Sequence, residues 1–231
     1  MGVEKLFAQG PYPVGFVEFD VSYTPPGSTE VRVLPVKAWY PAVAESGASQ
    51  ARYAVAGIVD VVTEIALDGP DTADGAFPLV VYSHGSGGEG LLGYPYGENF
   101  ASWGWVVVAP SHVGNTAIDG IRNEFAPFAA NLLHRVTDIT AVLDAVSAGV
   151  GAPIDGHANL EDVLLFGHSF GGYTTLAAGG ADFDYDALVA NCPVADDDGS
   201  CDFLAQPEVD AAFRAGFGDP RIDALVAQAP A

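Results

Sequence analysis

The segment 162–179 constrains this chain more than any other. A short apolar run, Val163-Leu164-Leu165-Phe166, leads straight into Gly167-His168-Ser169-Phe170-Gly171, and a run of mostly small residues from Gly172 to Gly179 leads out. The first run reads as a strand buried on both faces and the last as a helix. Glycines at 167 and 171 let strand and helix approach closely across the turn. The pattern G-x-S-x-G by itself is modest evidence in a glycine-rich chain; the strand-turn-helix around it gives it weight. There Ser169 stands at a helix N-terminus, where free N–H groups and the helix dipole favour developing negative charge. Ser169 is the expected nucleophile, and a helix-capping serine is the competing reading.

The remaining pattern fits the same architecture. Phe16–Thr24 and Glu30–Tyr40 read as two strands joined by the turn Pro25-Pro26-Gly27-Ser28. Residues 41–76 are a mixed excursion with one expected helix around Ile58–Leu67. Phe77–Ser83 and Trp105–Ala109 are short apolar runs of the buried-strand kind, with a helix between them that ends near Trp103-Gly104. From Pro127 to Val146, apolar residues at Phe128, Leu132, Val136, Ile139, Leu143 and Val146 fall on one helical face. Asp162–Phe166 is a strand, Ser169–Ala178 a helix and Ile222–Ala227 a last strand. A hairpin followed by alternating strands and helices predicts one α/β domain over 1–231, with a mostly parallel sheet and an N-terminal antiparallel hairpin.

His84-Gly85-Ser86-Gly87-Gly88 follows the strand at Phe77–Ser83 directly. A glycine-rich turn at the carboxyl end of a strand leaves backbone N–H groups facing the crevice. Acyl transfer needs two such donors on one oxyanion. The N–H groups of Ser86 and Phe170 are the expected pair. A phosphate-cradling loop is the alternative, but no lysine follows and no G-x-G-x-x-G is present.

Composition narrows the function further. Hydrophobic residues make up 49% of 231, enough for a sizeable core, which rules out general disorder. The net charge of −22 repels phosphate backbones and anionic membranes, so no nucleic-acid partner is expected. Only Lys5 and Lys37 are lysines, a balance that suits a saline medium or serves solubility. No apolar run is long enough for a membrane span. The start, Met1-Gly-Val-Glu-Lys, shows no signal peptide, so the protein is either cytoplasmic or begins after a cleavage site. Cys192 and Cys201 lie nine apart in a loop-rich stretch, where a disulfide is expected in preference to two free thiols. That favours a secreted or periplasmic location.

Four segments in this order, SHGSGG after a strand, WVVVAPSHVGNT, HRVTDITAVLD and GHSFGGYTTLA, resemble the α/β-hydrolase superfamily. More narrowly they resemble its platelet-activating-factor acetylhydrolase and predicted dienelactone hydrolase-like branch, which borders on microbial polyester hydrolases. The likeness runs over about residues 10–231. It implies an α/β-hydrolase fold, a serine nucleophile, the two oxyanion donors named above and no cofactor. True dienelactone hydrolases carry cysteine at the elbow; Ser169 points instead to carboxylic esters, whether short acyl, phospholipid acetyl or polyester. The alternative is an incomplete or inactive hydrolase-fold protein that binds ligands without turnover.

The chain also departs from that pattern. On this fold the triad runs serine, then acid, then histidine. All five histidines, His84, His112, His134, His157 and His168, precede or flank Ser169 on its N-terminal side, and none follows it. The position matching an acid at the end of the sixth strand is about Gln228. The expectation is a C-terminally incomplete domain whose triad acid and histidine lie outside this chain. Its bare strand at Ile222–Ala227 would then recruit a second chain or a dimer partner.

Other residues carry weaker expectations. His112 is the best stand-in base and, with Tyr94, a pocket candidate; His168 should point into the fold; His84 reads as structural. His134 and His157 read as helix-surface and loop residues. Arg135 and Asp138 read as a helix ion pair. Tyr94, Tyr96 and Phe170 could line an acyl pocket, whereas Trp103 and Trp105 should fill the core. Asp196–Asp202 could offer oxygen ligands to Ca²⁺, but without EF-hand spacing it reads as a solvated acidic loop, and no metal is expected.

Overall fold

The structure, a computed structural model, describes residues 8–44, 47–55, 59–192 and 198–230. The first hairpin is β1 (Val14–Tyr23) and β2 (Arg32–Pro41), paired antiparallel from Val14↔Pro41 to Tyr23↔Arg32. Its turn is closed by Ser28 N–H donating to Pro25 O. Then come β3 (Gln50–Val55), β4 (Val59–Asp68), β5 (Phe77–Ser83), α1 (Tyr94–Ser102) and β6 (Val106–Pro110). The short α2 (Ala117–Arg122) and long α3 (Phe128–Ser147) lead to β7 (Ala158–His168) and α4 (Phe170–Ala178). Three short helices, α5 (Tyr185–Asn191), α6 (Ser200–Leu204) and α7 (Pro207–Ala215), precede β8 (Ala224–Gln228).

All eight strands join one sheet in the order β3-β4-β1-β2-β6-β5-β7-β8. The half that carries the site, β6-β5-β7-β8, is parallel throughout. Alternation along its central strand builds two cores. Leu79 and Val81 point toward α3 with Ile139, Leu143 and Leu165, while Val80 and Tyr82 point toward α1 with Trp39, Ala101 and Phe166. Both faces are covered, which is why β5 and β6 read as continuous apolar runs.

Residues 59–68 correct one expectation. They form β4, antiparallel to β3 and parallel to the start of β1, rather than a helix. Val61, Val62, Thr63 and Ile65 are β-branched, and such density favours a pleated strand over a helix. The added hairpin is anchored by a buried polar cluster. Trp39 Nε1–H donates to Tyr53 OH (2.8 Å), and Tyr53 and Thr63 hydroxyls both donate to Glu98 on α1. Trp103 is a second correction: it lies half outside, its indole N–H on Ala8 O, and Trp105 is only partly buried against Phe100. A Trp-Gly pair ending a surface helix puts the ring at the rim, not in the core.

Cys192 and Cys201 are bonded to each other, joining the end of α5 to α6. Of the acidic stretch, Asp196 and Asp197 lie outside the described residues. Asp198 holds the start of α3 from a distance, accepting from Phe128 N–H (2.7 Å), while Ser200 Oγ accepts from Ala129 N–H. Among the described residues no group of three His, Cys, Asp or Glu is placed to hold a metal. No described helix is long and apolar enough to cross a membrane. β8 is an edge strand, with Leu225 and Val226 exposed.

Candidate active site

Ser169 stands at the carboxyl end of β7 with φ +53° and ψ −120°, one of three non-glycine residues with positive φ among those described. An L-residue held there stores roughly 1–3 kcal/mol of strain, which the surroundings must over-determine. They do so through the flanking glycines. A Cβ on Gly167 would stand 2.0 Å from Gly171 O, and one on Gly171 would stand 1.9 Å from Ser83 O. Neither position admits a side chain. The second contact also presses the elbow against the end of β5, so the turn after β5 and the serine share one edge of the sheet. Ser169 N–H donates to Gln228 O (2.9 Å), tying β8 to the same edge.

The turn after β5 is closed by Gly88 N–H donating to Gly85 O (3.0 Å), with Ser86 and Gly87 between them. A Cβ on Gly85 would lie 3.2 Å from Ser169 Cβ, so this turn lies against the serine. Asn115, in the loop after β6, holds the turn from outside: its Nδ2 donates to Ser86 Oγ (3.0 Å) and its carbonyl accepts from Gly87 N–H (3.1 Å). Phe170 is the first residue of α4, where a helix leaves its N–H groups without intrahelical acceptors.

Beneath the edge runs a buried polar network that the sequence reading missed. Arg135, His112 and Asp138 are fully enclosed (0% exposed each). Asp138 accepts from Tyr23 OH (2.6 Å), Arg32 Nε and Nη2 (2.7 and 2.9 Å) and His112 Nδ1 (2.8 Å). Burial alone would raise its pKa, but the Arg32 and His112 hydrogen bonds outweigh that and hold it far below the carboxylate range. With Nδ1–H on the ionised Asp138, His112 Nε2 accepts from Ser83 Oγ–H (2.9 Å). His84 takes the same tautomer, Nε2 accepting from His112 N–H and Nδ1–H donating to Gly85 O. Arg135 and Asp138 are therefore not a surface ion pair. The available signal was the stripe Asn131, Arg135, Asp138, Val142, spaced 4, 3 and 4 beside the apolar face of α3.

His112 thus serves inside the protein and does not line a crevice, because both ring nitrogens are engaged by Asp138 and Ser83. His168 corrects the opposite way: it is exposed, beside Gly85, since the elbow turns the residue before the serine outward. His134 is half-buried, edge-on to Phe203, and His157 Nδ1 donates to Gly75 O. None of the five hydrogen-bonds the Ser169 hydroxyl. Tyr94 leans on Tyr53, on the hairpin side. Tyr96 reaches the site edge, packed on Phe166 and donating its hydroxyl to Gln228 Oε1 (3.2 Å). A cleft of about 1010 Å³ lies elsewhere, between β1, α3 and residues 215–221.

Burial and the Arg135 charge push His112 down to about 4, burial pushes His134 down to about 4, and His84 falls well below the usual imidazole value for the same first reason. The unfolded chain protonates these groups near pH 6.5 and the folded chain does not. Between pH 6.5 and about 4 the unfolded state binds more protons, so stability is expected to fall as pH falls through that window. Urea midpoints from pH 7.5 to 5 test it. His112→Gln should lower the midpoint at pH 7.5 but flatten the slope; an unchanged slope contradicts the assignment.

The comparisons with known proteins bear on the family and the fold. The family model described as platelet-activating factor acetylhydrolase, isoform II, matches residues 9–126, from before β1 through the Ser86 turn and α2. The chain belongs to this family. The match ends before the elbow, so the acetylhydrolase assignment and the geometry at Ser169 are separate observations. Among solved structures, a ferulic acid esterase from Streptomyces cinnamoneus superposes with a TM-score of 0.59 at 22% identity, over 71% of this chain and 54% of that one. This likeness carries the α/β-hydrolase fold, and the chain spans about half the length of the structure it matches. No curated protein matches.

Proposed function

We propose that this acetylhydrolase-family chain is a carboxylic ester hydrolase that works through an acyl-enzyme on Ser169. The observation that carries the reading is the positive-φ serine wedged by Gly167 and Gly171 against the end of β5, with the Ser86 turn lying on it. Ser169 Oγ attacks the ester carbonyl. The N–H groups of Ser86 and Phe170 hold the oxyanion, the alkoxide leaves, and water then releases the acid. As Ser169 attacks, its proton passes to water and returns through solvent to the departing alkoxide, since none of the five histidines hydrogen-bonds the Ser169 hydroxyl.

The surroundings favour small or aromatic neutral esters. Phe128, which is exposed, stacks on Phe170 (5.9 Å between centroids), the residue after Ser169. The family's description supports acetyl esters and the structural neighbour's title an aromatic acid ester, while the charge of −22 disfavours anionic substrates. The disulfide supports an exported protein. The competing reading, a hydrolase fold that binds esters without turnover, draws on the Ser169 hydroxyl, which has no hydrogen-bonded base among the described residues.

Rapid mixing with p-nitrophenyl acetate separates the two. The acyl-enzyme reading expects nitrophenolate release that depends on Ser169, slow because no base is paired to the serine, and decreasing from acetate to octanoate. Release no greater than that from Ser169→Ala would leave only the binding reading.

A further inference from the structure

Arg135 is enclosed in the protein, and none of its four hydrogen bonds goes to a carboxylate. A guanidinium in that position bears a desolvation cost that ordinary core packing would avoid. Its bonds divide between the two pieces of chain that carry the proposed oxyanion donors. On one side Nη2 donates to His84 O and to Ser83 Oγ (3.3 Å), at the root of the Ser86 turn. Nη1 donates to Asn115 Oδ1 (2.7 Å), and the other end of that amide donates to Ser86 Oγ (3.0 Å). On the other side Nε donates to Thr174 Oγ1 (3.0 Å), whose hydroxyl donates to Phe170 O (3.1 Å). The guanidinium carbon also lies 4.8 Å over the Phe170 ring.

We infer that Arg135 is a positioning residue that fixes the separation of the Ser86 and Phe170 amides, and with it the size of the oxyanion site. The inference rests on the acyl-enzyme reading. One planar group reaches both donor-bearing elements, and neither bond set alone would set their spacing. Arginine suits the task because its donors lie in a rigid fork; lysine keeps the charge but cannot span three directions at fixed angles. An oxyanion site misplaced by a fraction of an ångström weakens the transition state while leaving ground-state binding intact.

The test uses a fluorophosphonate probe, whose phosphoryl oxygen gains negative charge in the same site as Ser169 attacks. Labelling is read as kinact and KI, with Ser169→Ala as the zero. For Arg135→Lys, kinact is expected to fall about 100-fold, the size of losing one oxyanion donor, with KI within about threefold of wild type. Thr174→Val, which cuts only the Phe170 arm, should lower kinact about tenfold with the same split. Near-UV circular dichroism and the urea midpoint report the fold. Where Arg135→Lys fails to fold, Thr174→Val and Asn115→Ala decide by the same criterion. Unchanged kinact in the folded variants, or a loss carried entirely by KI, overturns the inference. Wild-type protein that labels no faster than Ser169→Ala overturns the acyl-enzyme reading itself and this inference with it.

Discussion

Hydrolysis of p-nitrophenyl acetate by the 231-residue chain is expected to be slow, about 10³–10⁴ over water, and Ser169→Ala is expected to remove the acyl-enzyme completely. The two parts have different causes. In the proposed mechanism the elbow and the Ser86 turn supply a nucleophile and oxyanion donors, and such groups without a paired base leave an acceleration of that order. In that mechanism the base is the missing contribution. His112 has the partners of a triad histidine, an ionised aspartate on Nδ1 and a serine on Nε2, but the serine is Ser83 and all three are sealed from solvent. Its proton traffic is closed to any substrate. Steady-state and burst kinetics on wild type and Ser169→Ala check both parts. Turnover near the ~10 s⁻¹ typical of enzymes, abolished by Ser169→Ala, would require one of the five histidines to serve. His168→Ala, which removes the exposed imidazole beside Gly85, would then be the variant to make.

Asp138→Ala is expected to cost about 3–5 kcal/mol of stability, the usual penalty for stripping one partner from a buried ionic cluster. Three donors from three elements converge on this carboxylate: Tyr23 on β1, Arg32 on β2 and His112 after β6. Its removal leaves the enclosed His112 Nδ1–H without its acceptor and strips the largely buried Arg32 guanidinium of its carboxylate, so the cost exceeds that of the lost bonds. For a chain of this length that amounts to roughly 10 °C in Tm, and Asp138→Asn should lose less because it keeps the shape and one acceptor. Urea unfolding at pH 7.5 with an unchanged slope is the measurement. A midpoint within error of wild type would show that the cluster contributes nothing net.

The strand-turn-helix at 162–179 was legible because its demands are local: an apolar run, two glycines where no Cβ fits, and a serine between them. The Ser86 turn was legible for the same reason. β3 and β4 were not, because Val59–Leu67 has both a helix-compatible spacing and β-branched density, and the deciding term is tertiary. β4 gains partners on both sides, β3 and the start of β1, together with the Thr63 bond to Glu98. The network under the site was hidden for another reason. Arg135 and Asp138 sit three apart, a spacing common on exposed helix faces, and nothing within α3 reveals that both neighbouring surfaces are protein. Their partners, Ser83, His84, His112, Asn115, Thr174, Tyr23 and Arg32, are brought in by five other segments. His168 and Trp103 misled through position: one is rotated outward by the strained turn, the other ends a helix at the rim.

The most direct test of Ser169 as the nucleophile is the site of phosphonate attachment. The wild-type chain is treated with a fluorophosphonate, its intact mass is measured, and the digested peptides are sequenced by mass spectrometry. The account predicts a single adduct on the peptide carrying Ser169, absent from Ser169→Ala. An adduct on another serine, Ser83 or Ser86 included, or no adduct while a known serine esterase labels fully in parallel, would contradict it.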